Sequence, residues 1–414
     1  MQLAACHAGR MKPISFPNFG NDSLRFWNRH FANLDRLNSS GQLSRPEFMN
    51  PVPYFPTVVL ATELPSHFAV EILGGRRQLR ELKLKKNHMS DTNSYLGQFS
   101  RNADVPAMIS VEGSNNSFTN LCLMPIVDEE RLNKRFPGVV ATFQSRLQFV
   151  GAPDALPVRI GADSNFTHFE RCLIVNTFEN AIRIRHIWSA ILINKTTSEK
   201  DYIEYLQNEF RLTEGGQAIG WKVVDAGNAE YVFQAAQFSN AYLLNNLSET
   251  TIGTYLENHG EILKTALDAT EIVSEPYLPW QISSPYPDET AINPDLFIRR
   301  EDGFWDVYDL KLPLLGKKSI TTGKRQRRRL IATIEDGIAQ LAHYRDFLSH
   351  PENLRFAFDK YGVEFDNPTY GIIAGNDENF DSIAVKEALR RFPEFTLLDY
   401  DSVVQLYLAK SRQQ

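Results

Sequence analysis

Asp295, Asp309 and Lys311 are the residues whose types and spacing point most directly to chemistry. Two carboxylates that lie close together repel each other unless a cation lies between them. Oxygen ligands, with water completing the set, favour Mg²⁺ or Mn²⁺, and a lysine beside such a site suits a phosphate. These residues therefore indicate metal-dependent chemistry on a phosphate group.

A β-hairpin would bring the three residues together. A three-residue loop at Glu301-Asp302-Gly303, with the glycine in the left-handed conformation, makes Arg300 face Phe304. Asp295 then lies opposite Asp309, and the two-residue period of a strand puts the lysine on the same face. The alternative is a hairpin with solvated acids and a lysine whose stem lies along the surface.

A basic segment follows the hairpin, in a chain whose formal net charge is −6. Its seven cationic residues are Lys317, Lys318, Lys324, Arg325, Arg327, Arg328 and Arg329. This density of positive charge indicates a site where the phosphate backbone of DNA passes, and a solvated surface loop is the alternative.

The elements that must position these residues begin at Ser248, a candidate helix N-cap. They alternate between helical and strand periodicity in the order α-β-β-α-β-α, which predicts an α/β unit. After the first helix, the predicted elements are strands Asp295 to Arg299 and Phe304 to Leu312, helix Ile331 to Leu348, strand Tyr370 to Ala374 and helix Ser382 to Phe392.

The rest of the chain divides into two further parts that differ in hydrophobic periodicity. Residues 1–55 have no clear period and are expected to form an irregular leader. Residues 56–246 contain several strand-like runs and one helical run, which predict a mainly β or α+β domain. The expected domains are therefore 1–55, 56–246 and 247–414, in a protein that is α+β overall.

The positions of the cysteines and the hydropathy of the chain indicate the cellular compartment in which the protein is expected. Three cysteines lie far apart and suggest neither a zinc site nor a disulfide framework, so a reducing cytoplasm is expected. The chain has no apolar run of membrane-spanning length, so we expect a protein that is neither secreted nor inserted in a membrane.

Pro294-Asp295 and Asp309-Leu310-Lys311 resemble the motif of the PD-(D/E)xK nuclease superfamily. The resemblance implies a restriction-endonuclease-like core in the C-terminal domain. We hypothesise that Asp295, Asp309 and the Leu310 carbonyl hold Mg²⁺ or Mn²⁺, while Lys311 orients the attacking water and stabilises the transition state.

Two helices carry further residues that match superfamily features. Gln340 and Tyr344 match a Gln-x-x-x-Tyr element beside the active site, although an ordinary amphipathic helix explains them equally well. Superfamily members often supply another glutamate near the metal from the helix after Ser248. Glu249 is our choice ahead of Glu257 and Glu261, although a first-turn glutamate that favours the helix N-terminus is an equal explanation.

Taken together, the motifs resemble Shedu, a group of bacterial antiphage nucleases. The resemblance covers roughly residues 248 to 408, and Asp309 stands where glutamate is commoner. The matching segments are Glu249 to Leu256, Pro294-Asp295, Asp309 to Pro313, Gln340 to Tyr344, Tyr370 to Gly375 and Leu398 to Asp401.

This resemblance implies a defence endonuclease that cuts double-stranded phage DNA with little sequence preference. It also implies a homo-oligomer, with a tetramer favoured, and gating by the N-terminal domain as a sensor or regulator. One alternative is a catalytically silent DNA-binding or assembly protein on a nuclease fold. Another is a restriction or repair nuclease, which shares the chemistry and differs in its target.

Overall fold

A computed structural model defines the fold as two compact units. The first unit comprises Met1–Glu129, Val140–Val175 and His186–Glu230, and the second comprises Glu130–Val139, Asn176–Arg185 and Tyr231–Gln414. The structure describes residues 12–43, 47–92, 95, 110–113, 115–135, 146–150, 159–177, 182–212, 219–226, 230–244, 248–284, 289–324 and 327–411. The longest segment of the second unit thus begins ahead of the expected boundary at 247.

The first unit is built around an eight-stranded sheet with the order β4-β2-β3-β11-β10-β7-β8, in which β6 also pairs with β10. The strands up to β12 are β1 (Pro51–Tyr54), β2 (Val58–Glu63), β3 (His67–Leu73), β4 (Lys83–His88), β5 (Ser110–Val111), β6 (Asn116–Thr119), β7 (Leu121–Pro125), β8 (Arg146–Val150), β9 (Arg159–Ile160), β10 (Phe166–Thr177), β11 (Ile182–Asn194) and β12 (Lys222–Asp225). The described residues of this part of the chain form the helices α1 (Phe16–Ser39), α2 (Ile126–Arg135) and α3 (Glu199–Glu209).

The expectation of an irregular leader is wrong for α1. Ser15 caps this helix by accepting a hydrogen bond from the Asn18 amide, and a proline lies in the first turn. Phe19, Trp27 and Phe31 are buried along one face. The buried apolar residues recur at helical spacing, so the sequence carried a helical period that the expectation of an irregular leader overlooked.

The second unit contains helices and a five-stranded mixed sheet with the order β13-β16-β17-β20-β21. Its helices are α4 (Glu230–Leu243), α5 (Glu249–Asn258), α6 (Glu261–Ala266), α7 (Ala332–Leu348), α8 (Pro351–Tyr361), α9 (Ser382–Leu389) and α10 (Tyr400–Ser411). Its strands are β13 (Ala269–Ser274), β14 (Leu278–Pro279), β15 (Ala291–Ile292), β16 (Leu296–Arg300), β17 (Trp305–Leu310), β18 (Thr321–Thr322), β19 (Arg329–Leu330), β20 (Tyr370–Ile373) and β21 (Phe395–Leu398). The protein is therefore α+β overall, as expected.

The hairpin of β16 and β17 has the predicted register. The Arg300 amide donates to the Phe304 carbonyl at 2.8 Å, and Gly303 has a φ of +94°. Leu296 pairs with Tyr308, so the same register places Asp295 opposite Asp309. Turn chemistry and strand period were sufficient to predict this alignment.

The parallel half of the sheet is joined by helical crossovers, since parallel neighbours need a long connection. Helices α7 and α8 lead from β17 to β20, and α9 leads on to β21. Ile334, Ile338 and Leu341 of α7 belong to the same buried cluster as Val307 and Ile372 of the sheet. This packing fixes α7 against the strands that carry the candidate site.

Several elements of the second unit were not predicted. They are the helices α4, α8 and α10, β13 at the sheet edge, the short β14 and β15 pair, the β18 and β19 pair, and β21. The single helix expected after Ser248 divides at His259 and Gly260 into α5 and α6. The unpredicted strands are short runs, which only pairing with a neighbouring strand distinguishes from loops. In the ranges that the structure describes, no helix is long and apolar enough to span a membrane.

Gly371→Ala is expected to destabilise the protein by about 1–3 kcal/mol, the usual cost of overpacking a close contact. A Cβ at position 371 would lie 2.2 Å from Cε1 of Tyr308, whose ring covers this glycine and is itself buried. Urea denaturation measures the change in unfolding free energy.

Gly253→Ala is the matched control for this substitution. Gly253 lies within α5, where the nearest atom to an added Cβ is Leu310 Cδ1 at 3.9 Å. Alanine should therefore be neutral or should stabilise by up to about 1 kcal/mol. Equal midpoints for Gly371→Ala and wild type would show that the Tyr308 ring does not restrict this strand.

Candidate active site

Asp295 and Asp309 meet at the open end of the β16–β17 hairpin. An oxygen of Asp295, Oδ2, accepts a hydrogen bond of 2.6 Å from the Leu310 amide. Asp309 is almost fully buried, with 1% of its surface exposed. The alternative of two solvated acids is therefore wrong for Asp309.

Lys311 follows directly after β17 and turns back toward Asp309. Its Nζ lies 2.6 Å from Asp309 Oδ2, and its amide donates to the Ile373 carbonyl at 2.9 Å. A Cβ added at Gly337 of α7 would lie 3.3 Å from Lys311 Cε, so the lysine stem passes close to that helix. The lysine is held on both its backbone and its side chain.

Helix α7 brings Gln340 and Tyr344 to the same place. Gln340 Oε1 accepts a hydrogen bond of 3.0 Å from Lys311 Nζ, and the Gln340 amide group donates to the Tyr344 hydroxyl. That hydroxyl in turn donates to the Asn293 carbonyl at 3.2 Å. Because Gln340 and Tyr344 are four residues apart on the helix, they form a chain of hydrogen bonds from Lys311 to the backbone just before Asp295.

Glu249 approaches from the first turn of α5. Its Oε1 accepts a hydrogen bond of 3.1 Å from the Leu312 amide, and its charge acts on Lys311. The structure therefore brings all five predicted side chains, Asp295, Asp309, Lys311, Gln340 and Glu249, to one end of the hairpin.

The charges of Asp295, Asp309 and Lys311 act on one another. Burial, and then the negative charge of Asp295, raise the pKa of Asp309 to about 7, against the opposing effect of Lys311. Burial is the largest single effect and would lower the pKa of Lys311, but the charge and hydrogen bond of Asp309, with the charges of Glu249 and Asp295, together outweigh it and the pKa is raised. The lysine is therefore protonated at neutral pH and acts as a hydrogen-bond donor.

The donor set at this site fits a hard divalent cation. Asp295 and Asp309 supply carboxylate oxygens, and Oδ2 of Asp309 is buried and, apart from its ion pair with Lys311, has no hydrogen-bond partner among the described residues. In a strand the N–H and C=O of one residue point to the same side, so the Leu310 carbonyl points with its amide toward Asp295. Across the described ranges, no group of three or more His, Cys, Asp or Glu side chains is arranged to hold a metal ion.

The basic segment forms a short two-stranded pair beyond the site. Thr321–Thr322 pairs with Arg329–Leu330, and Lys317, Lys318, Lys324, Arg327 and Arg329 are exposed. Arg328 is half-buried and its Nε lies 3.5 Å from Glu387 Oε2. Arg325 lies outside the described residues.

Three polar residues that the sequence reasoning did not single out hold the backbone around Lys311. Tyr400 donates a hydrogen bond of 2.7 Å to the Lys311 carbonyl. Asn376 and Asn379 donate to the Pro313 carbonyl at 2.7 Å and 3.0 Å. The only sequence signal was that Tyr400 falls in the segment Leu398 to Asp401.

Comparison with known proteins adds no relative: no family model matches this chain, and no curated protein matches it.

Asp309→Asn is expected to be more stable than wild type at alkaline pH in the absence of divalent metal. The pKa of Asp309 in the folded protein is about 7, above its ordinary value of 3.8. The folded state thus binds this proton more tightly, and the contribution of Asp309 to stability falls as the pH rises through that interval. The Tm advantage of the variant should grow between about pH 5 and about pH 8, as measured by scanning fluorimetry.

Mg²⁺ provides a second arm of the same measurement. At about pH 8 it should raise the Tm of wild type more than that of Asp309→Asn, because a ligand that binds only the folded state stabilises it. Asp336→Asn changes an exposed carboxylate of α7 and serves as the control. Parallel pH curves for wild type and Asp309→Asn would contradict the electrostatic account.

Proposed function

We propose that this protein is a metal-dependent DNA endonuclease with its active site at Asp295, Asp309 and Lys311. The observation that carries the proposal is the position of Lys311 Nζ, 2.6 Å from Asp309 and 3.0 Å from Gln340. A charged lysine fixed beside two carboxylates can stabilise negative charge on a phosphodiester while the carboxylates hold a metal ion. The resemblance to the PD-(D/E)xK superfamily supports the same chemistry and a core of that type.

Each residue of the candidate active site has a distinct proposed role. Asp295, Asp309 and the Leu310 carbonyl would hold Mg²⁺ or Mn²⁺, which when bound supplies an activated water and neutralises charge on the phosphate. Lys311 is protonated and donates hydrogen bonds, so its role is to orient the nucleophile and stabilise negative charge on the phosphate. Gln340 fixes the direction of the lysine, and Glu249 fixes the Leu312 amide just beyond it.

The exposed cations of the basic segment would hold the DNA backbone. The phosphates of the DNA backbone are the same for every base, so contacts with them give little sequence preference. The biological setting is proposed from the resemblance to Shedu alone. It comprises defence against phage DNA in the cytoplasm, a homo-oligomer with a tetramer favoured, and gating by the N-terminal part.

Asp309→Ala and Lys311→Ala should each lower the rate of DNA cleavage by about a hundred-fold or more, because the first removes a proposed metal ligand and the second a positive charge beside the phosphate. The assay uses linear and circular DNA, including phage DNA, with Mg²⁺ or EDTA. Asp336→Ala, in an exposed turn of α7, is the control and should cut like wild type.

Each outcome of the assay separates the candidates. Equal cleavage by wild type and both variants would refute the catalytic assignment. No cleavage under any condition, with DNA binding retained, would favour the silent DNA-binding alternative. Cleavage confined to one short sequence would favour a restriction-type enzyme.

Arg327→Ala combined with Arg329→Ala should weaken DNA binding and flatten its dependence on salt. Each lost phosphate contact reduces the slope of log K against log salt by about one. Arg328→Ala should have a smaller effect, since Arg328 already pairs with Glu387. The control is Arg355→Ala on α8, whose side chain is highly exposed; fluorescence anisotropy across a salt series gives the slopes. An unchanged slope in the double variant would remove the segment from the interface.

A further inference from the structure

Arg183 is a buried arginine that the chain supplies to the second unit from far upstream of the candidate site. It belongs to the segment Asn176–Arg185, and 2% of its surface is exposed. Its guanidinium makes a two-point contact with Asp401, with Nε 3.0 Å from Oδ1 and Nη2 2.8 Å from Oδ2. It also donates to Glu378 at 2.7 Å and to Asn376 at 2.9 Å.

The partner carboxylate, Asp401, depends on this arginine for its charge balance. Asp401 is 1% exposed and also accepts hydrogen bonds of 2.8 Å from the Tyr242 hydroxyl and from the Asp377 amide. Burial is the largest single effect and would lower the pKa of Arg183, but the charge and hydrogen bonds of Asp401, with smaller effects of Tyr242 and Glu378, together outweigh it and the pKa is raised. Arg183 is therefore a permanent cation in a closed cluster of hydrogen bonds.

The partners of Arg183 are next to the groups that hold the end of the catalytic strand. Asn376, which accepts from Arg183, donates to the Pro313 carbonyl at 2.7 Å. Tyr400, the neighbour of Asp401 in α10, donates to the Lys311 carbonyl at 2.7 Å. The cluster thus reaches the backbone of Lys311 and Pro313 by two separate routes.

We propose that Arg183 is a positioning residue that fixes the backbone of residues 311–313 and so holds Lys311 Nζ between Asp309 and Gln340. This inference rests on the proposed function for its catalytic meaning. It also means that residues 247–414 do not form a complete site, because one of the groups that organise it comes from Asn176–Arg185.

A purely stabilising role is the weaker explanation of this cluster. Burying charges costs much of what their attraction returns, so a buried ion pair is poor evidence for stability and better evidence for a defined position. The planar fork of arginine also sets direction, which a lysine or an apolar side chain does not. Removing Arg183 leaves Asp401 buried without its counter-charge and is expected to lower the stability of the protein. The consequence that distinguishes a positioning role is a local displacement of Lys311 in the protein that remains folded.

The test compares Arg183→Met with wild-type full-length protein by amide hydrogen exchange. Amides of Lys311 and Leu312, which donate to Ile373 and Glu249, should exchange about ten-fold faster or more, the effect of losing one charge-assisted hydrogen bond. The Val307 amide, which donates to Thr369 within the same sheet, should be unchanged. Arg345→Met, which breaks an exposed ion pair to Glu394, is the control.

Exchange and cleavage together distinguish the two proposals. If Lys311 and Leu312 lose protection while wild type shows no nuclease activity, the positioning role stands and the proposed function fails. If wild type cuts DNA and Arg183→Met leaves these amides protected, the positioning role is overturned. With both correct, kcat falls at least about ten-fold, DNA affinity is retained, and the pH dependence of the rate shifts as Lys311 leaves Asp309.

Arg183→Lys covers the case in which Arg183→Met does not fold. Lysine keeps the positive charge opposite Asp401 but lacks the fork that also reaches Asn376. Faster exchange at Lys311 and Leu312 in this variant supports the proposal. Wild-type exchange in a folded Arg183→Lys protein overturns it, because charge alone would then be sufficient.

Discussion

The repulsion between Asp295 and Asp309 is the constraint on which the second unit depends. The hairpin register fixes the two acids on opposing strands, and burial of Asp309 removes the water that would otherwise screen them. Burial first, and then the charge of Asp295, raise the pKa of Asp309, and the opposing effect of Lys311 does not cancel the two together. Everything around the pair serves either to supply positive charge or to hold the backbone that carries it.

The neighbouring helices supply the contacts that hold Lys311 and the backbone around it. Helix α7 approaches closely enough for Gln340 to take the second hydrogen bond of Lys311 Nζ, because a glycine at 337 leaves room for the lysine stem. Glu249 and Tyr400 hold the backbone on either side of the lysine, at the Leu312 amide and the Lys311 carbonyl. The lysine is thus restrained by three helices as well as by the sheet, which limits the positions its charge can take.

The parts of this site that sequence could predict are the local ones. Gly303 in a three-residue loop and a two-residue strand period decide which residues face each other, and four-residue helical spacing places Gln340 with Tyr344. Helix α1 and the cluster around Arg183 were missed for a different reason. The helical period of α1 is present in the sequence and was overlooked because Asn, Asp and Gly residues lie among its apolar residues. An arginine in a strand of alternating residues is expected to face solvent until a distant partner such as Asp401 is known.

The contrast between local signals and distant contacts also limits what a sequence motif can establish. Asp295, Asp309 and Lys311 specify which atoms are present, whereas their separation and charge state depend on contacts made by residues from other parts of the chain. Arg183 reaches Asp401 from a segment that lies 218 positions away, and the unit that encloses the site is correspondingly discontinuous in sequence. A change upstream of residue 247 therefore has a physical path to Lys311 that requires no contact with DNA or metal. If the site is regulated, the backbone of residues 311–313 is where such a change would take effect.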